Sequence, residues 1–198
     1  MKSAIIKYPG GNIQSVVSAL ERLGVDPVVT DSAEEIRAAD NVIFPGVGEA
    51  WTTMQYIRGS GLDRVICGLR QPVLGICLGM QLMCRHSAER DTPGLGIFDV
   101  DVIRFPAESV KVPHMGWNQL RETKDWLATG IEGGFAYFVH SYFVPLTAHT
   151  VATATHDRPF SAALRKDNFF AVQFHPEKSG ETGERILKEF LKQQSNKT

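Results

Sequence analysis

Two short stretches carry residues whose types and spacing suit covalent chemistry. Gly75-Ile76-Cys77-Leu78-Gly79 sets a thiol between two glycines, directly after an apolar run and ahead of a helical one. That is the form of a nucleophile elbow, a tight strand-to-helix turn whose small neighbours let strand and helix approach. At such a turn Cys77 is expected to sit exposed at a helix N-terminus, where the macrodipole favours a thiolate. The Leu78 N–H would then face a developing oxyanion. A lone cysteine is more often a buried packing residue, but glycines on both sides of a strand–helix junction favour the reactive reading. Cys67 and Cys84 lack that context and read as packing residues.

A thiol nucleophile needs a base, and the base needs an orienting group. Of the six histidines, His175 follows an apolar strand-like run and precedes Pro176-Glu177. Pro176 stiffens the backbone, so Glu177 can hydrogen-bond the imidazole and set its tautomer, as the carboxylate of a triad does. On its own His175 would be an ordinary structural histidine; beside an elbow cysteine it becomes the candidate base.

These groups need a scaffold, and the first half of the chain alternates strand and helix signals. Residues 3–7, 27–30, 41–44 and 72–76 read as strands. Asn12 is expected to cap a helix with Ile13, Val16, Val17, Leu20 and Leu23 on one face and Gly24 as its stop. Ser32 to Glu35 has capping-box spacing, and 51–58, 62–70 and 78–83 look helical. Such alternation predicts a mostly parallel sheet covered on both faces, with sites in loops beyond the strands' carboxyl ends. Pro45-Gly46-Val47-Gly48 and Cys77 both fall there. Residues 135–139, 150–155, 161–166 and 169–174 predict a largely antiparallel, β-rich second half continuing or flanking the same sheet, closed by a helix over 182–192. The expected fold is α/β and flavodoxin-like, a single domain over residues 1–198.

The 198 residues carry 43% hydrophobic and 22% charged side chains and a formal charge of −1. That balance argues against a nucleic-acid binder working through a basic face. No apolar run approaches the ~18 residues a membrane span needs, and the N-terminal apolar stretch is too short for a signal peptide. Three cysteines without a close pair suggest neither disulfides nor zinc, and no cluster implies a metal or an organic cofactor. A reducing, cytoplasmic setting is expected.

Gly75-Ile76-Cys77-Leu78-Gly79-Met80-Gln81 with Gln173-Phe174-His175-Pro176-Glu177 resembles the class I (triad) glutamine amidotransferases. More narrowly, Lys111-Val112-Pro113-His114-Met115-Gly116-Trp117-Asn118 and Tyr137-Phe138-Val139-His140-Ser141-Tyr142 resemble the glutaminase subunits of imidazole glycerol phosphate synthases. So do Pro45-Gly46-Val47-Gly48 and Gly11-Asn12-Ile13. The resemblance implies Cys77 as nucleophile, His175 as general acid and base, and Glu177 as orienting carboxylate. It implies oxyanion-hole N–H groups from Leu78 and from Val47 or Gly48, each such donor being typically worth ~3–4 kcal/mol of barrier. Gln81, Glu89, Ser141 and Tyr142 would hold the substrate, L-glutamine. Asn12, Met115, Trp117, Asn118, Tyr137 and His140 would face the partner or the ammonia exit. The implied partner is the (β/α)8 cyclase subunit, in a heterodimer, with the 45–48 loop at the shared interface.

Two departures from the family pattern bear on partner fit rather than chemistry: Glu49-Ala50-Trp51 after the Pro-Gly-Val-Gly loop, and the less acidic opening Tyr8-Pro9-Gly10-Gly11-Asn12. A paralogous glutaminase feeding another synthase, such as one for an amidino sugar, shares the resemblance. A non-catalytic flavodoxin-like binding module using Gly10-Gly11-Asn12 as a phosphate turn would have no need for Cys77, His175 and Glu177 together.

Overall fold

The structure is a computed structural model that describes residues 1–10 and 12–193. Gly11, expected from the sequence in a candidate phosphate turn, lies outside the described residues. Among the described residues the main sheet has seven strands in the order β11-β12-β13-β4-β3-β1-β2. Its parallel part comprises β1 (Ser3–Ile6), β2 (Val28–Thr30), β3 (Asn41–Phe44), β4 (Val73–Ile76) and β13 (Phe169–Val172). β11 (Thr150–His156) and β12 (Arg158–Lys166) extend it antiparallel.

Every residue of β1, β3, β4 and β13 is buried, as expected where helices cover both faces of a parallel sheet. The two-residue period of a strand sorts their side chains into two cores. Ile5, Ile43 and Leu74 pack with α1 (Ile13–Arg22) and α6 (Gly180–Leu191) on one face. Ile6, Phe44 and Val73 pack with α2 (Ala33–Ala38), α3 (Ala50–Gly59), α4 (Leu62–Cys67) and α5 (Leu78–Met83) on the other.

The β-rich second half divides. A four-stranded sheet orders β10 (Tyr142–Phe143), β7 (Phe98–Arg104), β5 (Cys84–Ser87) and β6 (Thr92–Pro93). A separate hairpin pairs β8 (His114–Gln119) with β9 (Phe135–His140). The strands within 84–119 are absent from the sequence expectation.

Three other expectations are corrected, the last in part. Asn12 precedes α1 but makes no side-chain cap bond; its Oδ1 accepts from Ser15 Oγ and its Nδ2 turns toward Glu177. Cys84 is a packing residue, whereas Cys67 is exposed at the end of α4. The Ser32 cap does form with the Glu35 N–H, although the Glu35 carboxylate bonds the Thr30 hydroxyl instead of closing the box.

Candidate active site

β4 and β13 are parallel neighbours in register, Ile76 opposite Val172, and the Cys77 N–H donates to the Val172 carbonyl at 2.8 Å. Each strand therefore delivers its following residues to the same edge of the sheet: Cys77 from one, Gln173 and His175 from the other. Cys77 adopts φ 51°, ψ −108°, a strained conformation for a residue with a Cβ, of the kind that clusters at functional sites. Glycines around it permit close approach. A Cβ on Gly46 would lie 2.2 Å from the Gly79 nitrogen, and one on Gly79 would lie 2.1 Å from the Phe44 carbonyl. Cys77 is less open than the elbow pattern suggests, at 8% exposure, because it forms the floor of a cleft rather than a rim.

His175 Nδ1 and Glu177 Oε1 lie 2.8 Å apart, with both side chains buried. Asn12 Nδ2 donates to the same carboxylate oxygen at 3.3 Å. Because the carboxylate accepts, Nδ1 carries the proton and Nε2 is left as the basic nitrogen. Nε2 is buried and has no hydrogen-bond partner among the described residues. Burial opposes charge on this ring, but Cys77 and Glu177 outweigh it and raise its pKa from 6.5 to about 10. The thiolate form of Cys77 is the charge that favours a protonated ring; Cys77 and His175 line the same cleft, and in the resting geometry Nε2 makes no hydrogen bond to the sulfur.

The cleft, about 400 Å³, is lined by Val47, Gly48, Leu78, Gln81, Glu89 and Ser141 around the Cys77–His175 pair, with Tyr142 and His140 on its wall. The 45–48 loop is tied at both ends. Tyr8 Oη donates to the Pro45 carbonyl at 2.6 Å, and the Ala50 N–H donates to Glu89 Oε2 at 2.8 Å. Between these ties Gly48 holds φ 115°, a backbone state that favours glycine, and the Val47 N–H lies beside the Tyr8 hydroxyl. Glu89 is the one carboxylate among the lining residues. Its burial, and more weakly the Glu49 charge, raise its pKa against the Ala50 N–H.

A thiol, an imidazole and the buried carboxylate behind it thus converge on this cleft. The family model "Glutamine amidotransferase class-I" matches residues 4–194. The chain belongs to the class I glutamine amidotransferases. Imidazole glycerol phosphate synthase subunit HisH of Bacteroides fragilis is 61% identical over 194 residues, covering 96% of this chain and 99% of that one. The same-named protein of Shewanella loihica is 43% identical over 199 residues, covering 95% and 89%. A crystal structure of a glutamine amidotransferase superposes with a TM-score of 0.75 at 20% identity, covering 95% and 96%. A structure of PurLQS from Thermotoga maritima gives 0.70 at 18%, covering 96% and 97%. These structural likenesses bear on the fold alone.

In this amidotransferase chain, Cys77, His175, Leu78, Val47, Gly48, Gln81, Glu89, Ser141 and Tyr142, all expected from the sequence, line one cleft, and Glu177 stands directly behind His175. The residues expected to face a partner are more scattered. Met115 and Trp117 are exposed on the hairpin, with Tyr137 half-buried beside Trp117. Asn118 and His140 point the other way, into the hairpin's underside, and Asn12 joins the His175–Glu177 pair.

Sequence reasoning missed three contributors. Gln173 Nε2 reaches Cys77 Sγ at 3.7 Å while its Oε1 accepts from Gln81 at 3.0 Å; its place two residues before His175 was the available signal, since a strand's period of two puts both on one side. Tyr8 braces the 45–48 loop and His114 backs His140, and neither carried a local pattern.

Proposed function

We propose that this chain hydrolyses L-glutamine as the glutaminase subunit of an imidazole glycerol phosphate synthase and hands the ammonia to a cyclase subunit. The observation that carries the chemistry is the His175–Glu177 pair: its Nδ1 proton is engaged at 2.8 Å, leaving Nε2 as the base in a cleft floored by Cys77. Identity of 61% over nearly the whole length of a HisH relative supports the assignment to this synthase.

In the proposed reaction His175 Nε2 takes the proton of the Cys77 thiol, and the thiolate attacks the side-chain amide carbon of glutamine. The resulting oxyanion lies against the Leu78 N–H and a donor from the 45–48 loop. His175 protonates the departing nitrogen as the C–N bond breaks, leaving a glutamyl thioester and ammonia. It then takes a proton from water, whose attack breaks the C–S bond and releases glutamate. Glu177 keeps the tautomer fixed throughout.

Gln81 already spends both amide N–H groups on Tyr142 and Gln173, so its carbonyl oxygen, with Glu89, suits the substrate's ammonium group; Ser141 and Tyr142 complete the wall. The loop donor is the N–H of Val47 or of Gly48. Partner binding that reorients the loop would switch this donor on. The partner is a (β/α)8 cyclase, met through Met115, Trp117 and Tyr137, with Asn12, Asn118 and His140 behind them. Residues 1–198 act as one unit, in the cytoplasm.

Glutamate release from glutamine, measured for the chain alone and with an imidazole glycerol phosphate cyclase subunit plus its nucleotide, tests this reading. Strong stimulation that vanishes in Cys77→Ala is expected. Equal turnover with and without the cyclase would overturn the partner, and unchanged turnover in Cys77→Ala would overturn the nucleophile.

A further inference from the structure

In and behind the cleft wall, three histidines sit among phenylalanines, His140 in the wall and His114 and His156 behind it, and the hydrolysis steps use none of them. His114 stacks on His156 with ring centroids 4.3 Å apart, and Phe105, Phe138 and Phe160 surround His114 and His140. His114 and His140 are buried. Their nitrogens lie in a sequence whose direction is fixed by its two ends.

The Tyr142 carbonyl can only accept, so the proton of its 2.8 Å contact with His140 sits on Nδ1. In a neutral ring His140 Nε2 must then accept, and the 3.0 Å contact from His114 Nδ1 is donated by His114. His114 Nε2 accepts in turn, from Asn118 Nδ2 at 3.2 Å. The Asn118 amide is oriented by its other bonds: the same Nδ2 donates to the Thr155 carbonyl at 2.8 Å, and Oδ1 accepts from the Gln119 N–H at 2.8 Å. Burial drives both rings toward the neutral form, His140 down to about 3 and His114 down to about 4. A proton added to either would set two N–H groups against each other.

The line continues on the cleft side. The Tyr142 carbonyl also accepts from Gln81 Nε2 at 2.9 Å. Gln81 donates its second N–H to Gln173 Oε1 at 3.0 Å, and Gln173 Nε2 reaches Cys77 Sγ at 3.7 Å. Hydrogen bonds therefore run without a break from Asn118 on β8 to the sulfur.

We propose that His114 and His140 are positioning residues for glutamine hydrolysis: as a one-directional hydrogen-bonded pair they fix the Tyr142 carbonyl and, through Gln81 and Gln173, the sulfur of Cys77. This rests on the glutaminase reading and deepens it. Neither ring touches the reacting atoms in any step; each sets the orientation of a group that does. The competing role is ring packing among the phenylalanines, and the two roles rank substitutions in opposite order. Asn keeps an N–H near the imidazole Nδ1 position but leaves a void. Phe fills the ring volume but donates nothing.

The test is kcat and KM for glutaminase in the assembled synthase with nucleotide bound, for His140→Asn, His140→Phe, His114→Asn and His114→Phe, each with a thermal melt. The Phe variants are expected to lose about 10–100-fold in kcat/KM, the usual consequence of leaving a buried polar group unpaired. The Asn variants should be the more active at both sites while melting lower. Phe variants as active as Asn, or more so, would overturn the positioning role in favour of packing. The two sites are read independently, so a substitution that unfolds at one leaves the ranking measurable at the other. A wild-type complex that releases no glutamate would overturn the glutaminase reading, and this proposal with it.

Discussion

His175 concentrates the chemistry of the site in one ring. Its Nδ1 is fixed on a buried carboxylate, its Nε2 is buried without a partner among the described residues, and its pKa is raised to about 10. An unpaired buried nitrogen costs stability, and it persists here because the cleft reserves that position for a proton in transit. The shift has a definite consequence for stability. A group whose folded pKa exceeds its unfolded value, here 6.5, stabilises the fold fully below pH 6.5 and loses that contribution as pH rises through about 10. His140 and His114 act with the opposite sign. Their folded pKa values, about 3 and about 4, make the fold lose stability as pH falls from 6.5 toward those values. Melting temperatures of wild type and His175→Asn compared across pH 6 to 10 should therefore converge as pH rises. A constant gap over that range would mean that the ring is not charged in the folded protein.

At the scale of elements, the site depends on how closely the end of β3, the elbow and the start of α5 approach. Gly46 and Gly79 are the contact, and a Cβ on either would run into backbone. Gly46→Ala must push the 45–48 loop away from Leu78, and a displacement near 1 Å can cost about 100-fold in rate. A loss of that order in kcat/KM is expected. Gly59→Ala, in α3 with open space at its Cβ, should leave activity intact and raise stability by about 0.5–1 kcal/mol. Similar activity for the two variants would remove the close-approach argument.

The same elements show what the sequence could and could not disclose. The first four parallel strands were legible because each is a short, mostly apolar run bounded by helix signals, and the elbow because its glycines flank a nucleophile; β13 reads from the sequence as a strand of the largely antiparallel half, but it pairs parallel with β4. β8 was not, because its alternation is inverted. His114 and Asn118 face inward to a polar network, while Met115 and Trp117 face out. A pattern rule that places apolar residues inside has nothing to recognise in such a strand. β5 and β6 are short and broken by Arg85, His86 and Pro93, and they take their place from tertiary pairing rather than local preference.

That inversion matters for the molecule as a whole. The hairpin's outer face carries Met115, Trp117 and Phe135 at 61%, 57% and 53% exposure, with Tyr137 edge-on to Trp117 at 6.1 Å. Contiguous exposed apolar side chains of this size mark interaction surfaces. The backbone beneath them is joined to the site. The Tyr137 carbonyl accepts from the His175 N–H at 2.9 Å, and the Tyr137 N–H donates to Ser179 Oγ at 2.9 Å, whose hydroxyl returns to the His175 carbonyl at 2.6 Å. A partner seated on this face would thus be linked through β9 to the backbone of the base and, through His114 and His140, to the wall beside Cys77. If the cyclase docks here, a buried aromatic anchor should dominate the contact, with truncation costing at least about 2 kcal/mol, or roughly 30-fold in Kd. Trp117→Ala should weaken association by that amount in a titration against the cyclase subunit. Leu146→Ala, comparably exposed outside the hairpin, should change it little. Equal losses for both, or none for Trp117→Ala, would place the docking face elsewhere and leave the inverted strand without a functional reason.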